Sequence, residues 1–230
     1  MDSAARNESK LPPDSKRPIM VWDLPTRLFH WLLVAFVITS FVTGKIGGTW
    51  MPYHKLSGYA ILGLLFFRLA WGFTGGHHAR FSTFIRGPGA VLGYARSLMQ
   101  RDMPKHLGHN PLGGWSVLAM LTALMIQAVT GLFANDDILT EGPLYEWVSK
   151  ATSDRLTAIH ELNQEAILVL VAIHVMAVLF YLIMKSDNLI QPMITGRKYW
   201  YGEGPSSSGP LWTAALIAGL SAVGVYFLVH

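Results

Sequence analysis

Five apolar stretches constrain this chain more than any other feature, because each is long enough to cross or nearly cross a bilayer core. They run approximately from Arg27 to Thr43, His54 to Phe73, Trp115 to Ala134, Leu156 to Met184 and Leu211 to Val229. A helix needs roughly 20 apolar residues to span the hydrocarbon layer. Only 14% of the residues are charged while 51% are hydrophobic, too oily a balance for a water-facing surface. The expected fold class is therefore all-α and integral to the membrane.

Residues 1 to 25 are polar and contain Pro12, Pro13, Pro18 and Pro25. With no apolar run ahead of the first span, they do not fit a cleaved signal peptide and read as a flexible arm leading to an ordered approach around Trp22. The chain divides into a polar cytoplasmic segment (1–25), a four-helix transmembrane bundle (26–200), a flexible Gly/Ser/Pro linker (201–210) and an additional C-terminal transmembrane helix (211–230).

Orientation follows from Lys and Arg, which accumulate on the cytoplasmic side. With the N-terminus inside, the inner segments hold thirteen of these residues and the outer ones four: Lys45, Lys55, Lys150 and Arg155. Arg68 lies within a span. The N-terminus is expected in the cytoplasm and His230 in the periplasm, across a bacterial inner membrane. The net charge of +4 needs no nucleic acid, because anionic inner-leaflet lipid would meet the basic segments. The outer loop between spans three and four carries Asp136, Asp137, Glu141, Glu146 and Asp154 against Lys150, an acidic patch suited to a positively charged carrier. A solvated loop with positive charge excluded is the competing reading.

Four of the nine histidines lie in the first four spans: His30, His54, His160 and His174. His160 and His174 are 14 residues apart on one helix, which is about 21 Å of rise and about 40° short of four full turns. They share a face, one toward each side of the membrane. By topology His54 meets the level of His160 on the outer side, and His30 that of His174 on the inner side. Two imidazoles from different helices at one depth are the ligand pair that low-spin haem iron accepts. A histidine that merely hydrogen-bonds a neighbouring helix explains any one of the four, but the depths would then match by accident. Two haems b per chain are expected, held without covalent attachment because there is no cysteine. Zinc or copper would need its ligands at one point, whereas these separate into levels about 20 Å apart.

Arg68 lies 14 residues after His54, on the same face and near the inner level. A haem propionate would satisfy its charge, and snorkelling to inner headgroups is the alternative. Arg27, one turn before His30, is also placed for a propionate, although topology alone explains an arginine there. His77, His78, His106 and His109 fall among Gly, Pro and Arg in an inner loop and read as solvated, as does terminal His230.

The run Val21-Trp22-Asp23-Leu24-Pro25-Thr26-Arg27-Leu28-Phe29-His30-Trp31, the run His54-Lys55-Leu56-Ser57-Gly58 and the His160/His174 pair resemble the bacterial cytochrome b561 and nickel–iron hydrogenase b-subunit family, related in plan to the membrane subunit of formate dehydrogenase. The likeness covers about residues 20 to 198. It implies a four-helix bundle whose first, second and fourth helices hold two haems b, and electron exchange with membrane quinone and a periplasmic redox partner, either a c-type cytochrome or an oxidoreductase subunit. An electron-transfer subunit is favoured over a complete enzyme. The alternative is a self-contained quinone-coupled oxidoreductase acting on a small oxidant such as superoxide, against which two filled axial positions argue. A transporter would want ionisable groups within the spans, and Glu161 and Glu165 sit close to the interface. Gln127, Asn163 and Gln164 could bond a quinone. The fifth span departs from the resemblance, and its small residues at Ala214, Ala218, Ala222, Ala215 and Gly219 suit a second copy or partner subunit through 211–229, or a plain anchor in lipid.

Overall fold

The computed structural model describes residues 16–98, 100, 105–138 and 140–230. The expectations resting on Arg6, Lys10, Pro12, Pro13 and Arg101 fall outside those residues. The described chain is an all-α membrane bundle with one small sheet: β1 (Lys16–Met20), α1 (Leu24–Ile46), α2 (Met51–Thr74), α3 (Phe81–Phe84), α4 (Pro88–Ser97), α5 (Pro111–Gly131), α6 (Lys150–Met184), α7 (Ile190–Thr195), β2 (Arg197–Tyr201) and α8 (Leu211–Val229).

Local sequence starts and stops the long helices. Asp23 caps α1 by accepting from Thr26 N at 2.9 Å, with Pro25 in the first turn, and Asn110 caps α5 by accepting from Gly113 N at 2.8 Å beside Pro111. At the other end of α1, Gly47 (φ 66°) and Gly48 (φ 55°) reverse the chain in a left-handed conformation that favours glycine. Five helices are long and apolar enough to span a membrane. Their outer faces expose large hydrophobic side chains, among them Ile38, Leu162, Ile183 and Phe227, as lipid-facing surfaces do. Belonging to neither aqueous side, this surface makes the chain a multi-pass membrane protein.

Helix α1 packs on α2, α5 on α6, and α2 on α5, while α8 lies against α2. The core runs along these seams through Phe29, Ile61, Leu65, Trp71, Leu124 and Ile167. On α8, Ala214 and Val225 turn inward, and a Cβ at Gly63 of α2 would stand 3.8 Å from Val225. Ala215, Ala218, Gly219 and Ala222 face outward.

Below, the near end is the one at which α1 begins, and the far end is the one at which it stops. The near end is more ordered than the sequence suggests. Strand β1 pairs antiparallel with β2, from Lys16↔Tyr201 to Met20↔Arg197, so the arm is structured from residue 16. The connection from Gly202 to Pro210, expected to be flexible, is pinned: Ser207 N donates to the Met20 carbonyl at 2.7 Å and His78 N to Ser207 Oγ at 3.3 Å. Gly209 passes so close to Trp71 that a Cβ there would lie 2.5 Å from the indole. The reading of His78 and His109 as solvated is also corrected. His78 is buried, and the buried Nδ1 of His109 belongs to a ring packed between Trp22 and Phe84, with centroids 4.7 and 4.5 Å away.

Candidate functional site

The far end brings His54 of α2 and His160 of α6 together, one ring edge-on to the other. Their ring centroids are 6.1 Å apart and their planes 82° apart. Each ring is held from behind in the same way. His54 Nδ1 donates to the Ser40 carbonyl of α1 at 2.8 Å, with Ser40 Oγ 3.3 Å away. His160 Nδ1 donates to the Gln127 carbonyl of α5 at 2.9 Å, with Thr130 Oγ1 3.2 Å away. A proton committed to Nδ1 leaves the lone pair on Nε2, the tautomer a metal needs, and the carbonyl bond makes that nitrogen more basic.

Two glycines give these rings their room. A Cβ at Gly44 would lie 2.7 Å from His54 Nδ1, and one at Gly131 would lie 2.9 Å from His160 Cε1. The two rings line one cleft together with Gly58, Ile61, Leu124, Ala128 and Leu132, a largely apolar wall of the kind cofactor sites have. With metal–nitrogen bonds of about 2 Å, two imidazoles on opposite sides of one iron have centroids roughly 6 Å apart. The far-end residues therefore fit a haem.

At the near end stand His30 of α1 and His174 of α6. No carbonyl backs His30 as at the far end, since its Nδ1 is buried and unpartnered. Arg68 does not snorkel: it is 3% exposed, Nη2 donates to the Ala79 carbonyl at 3.0 Å, and its guanidinium carbon stands 4.8 Å over the Phe81 ring. Arg27 instead serves α7, Nη1 donating to the Ile194 carbonyl at 2.6 Å, beside Trp31 Nε1 donating to Met193 O at 3.1 Å. Burial first, then the neighbouring Arg68, His78 and His174, push the His109 pKa down to about 3, so its ring is neutral. Burial likewise lowers that of His78, against the opposing pull of the Pro205 carbonyl that its Nε2 meets at 2.9 Å.

Among the described residues no three His, Asp or Glu side chains gather at one point as a metal-ion site. Asn163 Nδ2 is engaged with the Ala123 carbonyl at 2.9 Å and Gln127 Oε1 at 2.7 Å, and Gln164 with Glu165 at 3.3 Å. The carbonyls of Ser40 and Gln127, the two close-approach glycines and buried His109 were not found from sequence. The backbone groups leave no side-chain signal at all.

Residues 21–196 match the prokaryotic cytochrome b561 family over most of the chain. The chain belongs to that family. It is a membrane cytochrome b of electron transport. Among curated relatives, the probable Ni/Fe-hydrogenase B-type cytochrome subunit of Rhizobium leguminosarum bv. viciae is 26% identical, covering 80% of this chain and 90% of the relative. Its counterpart in Bradyrhizobium diazoefficiens is 26% identical over 78% of this chain and 85% of the relative, and that in Azotobacter chroococcum is 24% identical over 81% and 91%. No solved structure matches the chain.

Proposed function

We propose that this cytochrome moves electrons across the membrane through two haems b, an outer one on His54 and His160 and an inner one on His30 and His174. The supporting observation is the far-end pair, two neighbouring imidazoles whose Nδ1 protons are both committed to helix carbonyls. Bound there, a haem iron supplies one-electron exchange, and the protein's part is to hold, orient and insulate it. The carbonyls of Ser40 and Gln127 fix each ligand's tautomer and plane. Ile61, Leu124 and Ala128 give the cleft apolar walls.

The excess of Lys and Arg supports reading the near end as the cytoplasmic side. The open Nη1 of buried Arg68 supports reading it as the partner of an inner propionate, while Arg27 Nη1 is engaged with α7. Relatives named as Ni/Fe-hydrogenase cytochrome subunits favour an oxidoreductase subunit of that kind as periplasmic partner, with a c-type cytochrome as the other candidate and membrane quinone as the exchange partner within the bilayer. A dithionite-reduced minus oxidised spectrum with a pyridine haemochrome count tests the proposal. Two haems b per chain are expected, and one or none in a fully loaded preparation would sink it.

A further inference from the structure

Five buried side-chain atoms lack a hydrogen-bond partner among the described residues: Thr26 Oγ1, Arg27 Nε, His30 Nδ1, Arg68 Nη1 and His109 Nδ1. All lie toward the near end. Arg68 is the sharpest case, because it is a cation and almost wholly buried. Asp23, the carboxylate whose charge acts on it, spends Oδ1 on Thr26 N (2.9 Å) and Trp71 Nε1 (3.4 Å) and Oδ2 on Gly76 N (3.2 Å). The ion pairs among the described residues are Lys150–Asp137, Lys150–Asp154 and Lys198–Asp187, and none includes Arg68. A buried guanidinium with an open arm is costly unless an anion meets it.

His109 supplies a second open atom nearby: Phe81, beneath the Arg68 guanidinium, packs on Phe84 with centroids 5.8 Å apart, and Phe84 packs on His109 at 4.5 Å. Trp22 and Phe84 fix its ring by packing rather than by hydrogen bonds, so Nδ1 keeps its orientation while keeping no partner. Arg68 and His174 are both within its electrostatic reach, and the ring is neutral, so Nδ1–H can donate without a second charge being buried.

We infer that Arg68 Nη1 and His109 Nδ1 form a two-sided clamp for a carboxylate, that of the propionate-bearing group held by His30 and His174. The clamp joins α2 to the loop before α5, and it rests on the two-haem reading above. Its two halves differ in kind: Arg68 contributes charge, and His109 contributes direction from a ring the aromatic stack does not let turn.

The test uses the full chain carrying both haems. His109→Phe keeps the aromatic packing between Trp22 and Phe84 and removes the donor, while Arg68→Gln removes the charge. Each is expected to lower the midpoint potential of the haem that His174→Ala removes, since an uncompensated carboxylate favours ferric iron, and to leave the other haem's potential in place. A His109→Phe potential equal to wild type would overturn the clamp. Reconstitution with haem or its dimethyl ester separates a haem carboxylate from any other source. The wild type should retain the free acid at the inner level roughly tenfold better than the ester, because a charge-assisted hydrogen bond is lost with each esterified group, and His109→Phe should narrow that ratio. An equal ratio in wild type and variant would also overturn it. A wild type without an inner haem would show in the haem count beforehand, and would remove the two-haem reading and the clamp together.

Discussion

His54 and His160 stand ring to ring across the far-end cleft, 6.1 Å between centroids, on helices that belong to different halves of the bundle. Helix α2 pairs with α1 and α6 with α5, so whatever bridges the two rings also ties the halves together. His54→Ala and His160→Ala should therefore delete the same haem component, and His30→Ala and His174→Ala the other. Redox-resolved difference spectra of the four variants check this, and losses that do not follow those pairs would refute the ligand assignment.

Close approach at Gly44 and Gly131 gives a subtler test. A methyl at either position collides with a ligand ring, at 2.7 Å from His54 Nδ1 or 2.9 Å from His160 Cε1. Gly44→Ala and Gly131→Ala should perturb the outer haem's spectrum and lower its occupancy, with the inner haem unaffected. Equal perturbation of both haems would mean that the two glycines matter for the bundle generally.

The acidic outer loop is less free than its sequence suggests. Lys150 bridges Asp137 and Asp154, and Asp136 Oδ1 accepts from Ile138 N at 3.0 Å and Thr140 N at 2.7 Å. Neutralising those residues would unsettle the loop as well as its charge. Glu141→Gln with Glu146→Gln is the cleaner variant. If the loop steers a basic partner, this pair should slow electron exchange with a c-type cytochrome at low salt, and the difference should fade as ionic strength rises. A rate indifferent to both salt and substitution would leave the loop's acidity as a matter of topology.

Helix α8 shields one side of α2 but contributes no histidine to either pair. Truncation after Pro210 should leave the haem count at two while lowering the thermal midpoint in detergent, because Ala214 and Val225 leave apolar contacts uncovered on α2. Loss of a haem on truncation would show that the fifth helix belongs to the cofactor-binding unit.

The spans and the meeting of His54 with His160 were legible because hydropathy and residue spacing are properties of the chain read along its length. What was hidden comes from contacts between distant segments. Pro18 interrupts any strand pattern in Lys16–Met20, and nothing in Arg197–Tyr201 names it as partner. The Gly- and Pro-rich surroundings of His78 and His109 look solvated in sequence, but Trp22 and Ser207 cover them from far along the chain. Arg68 was ambiguous for a related reason: whether it reaches headgroups or stays inside depends on Ala79 and Phe81 folding back beneath it.

The ribbon of β1 and β2 sets a timetable for biosynthesis. Its paired residues are about 180 positions apart, so at roughly 5–20 residues per second a ribosome needs on the order of 10–40 seconds to deliver the second strand after the first. During that interval Gly196 is not yet there to receive Val21 N and Trp22 N on its carbonyl, nor Ile194 to receive Arg27 Nη1. The approach to α1 at the near end therefore stays untied until synthesis passes Tyr201.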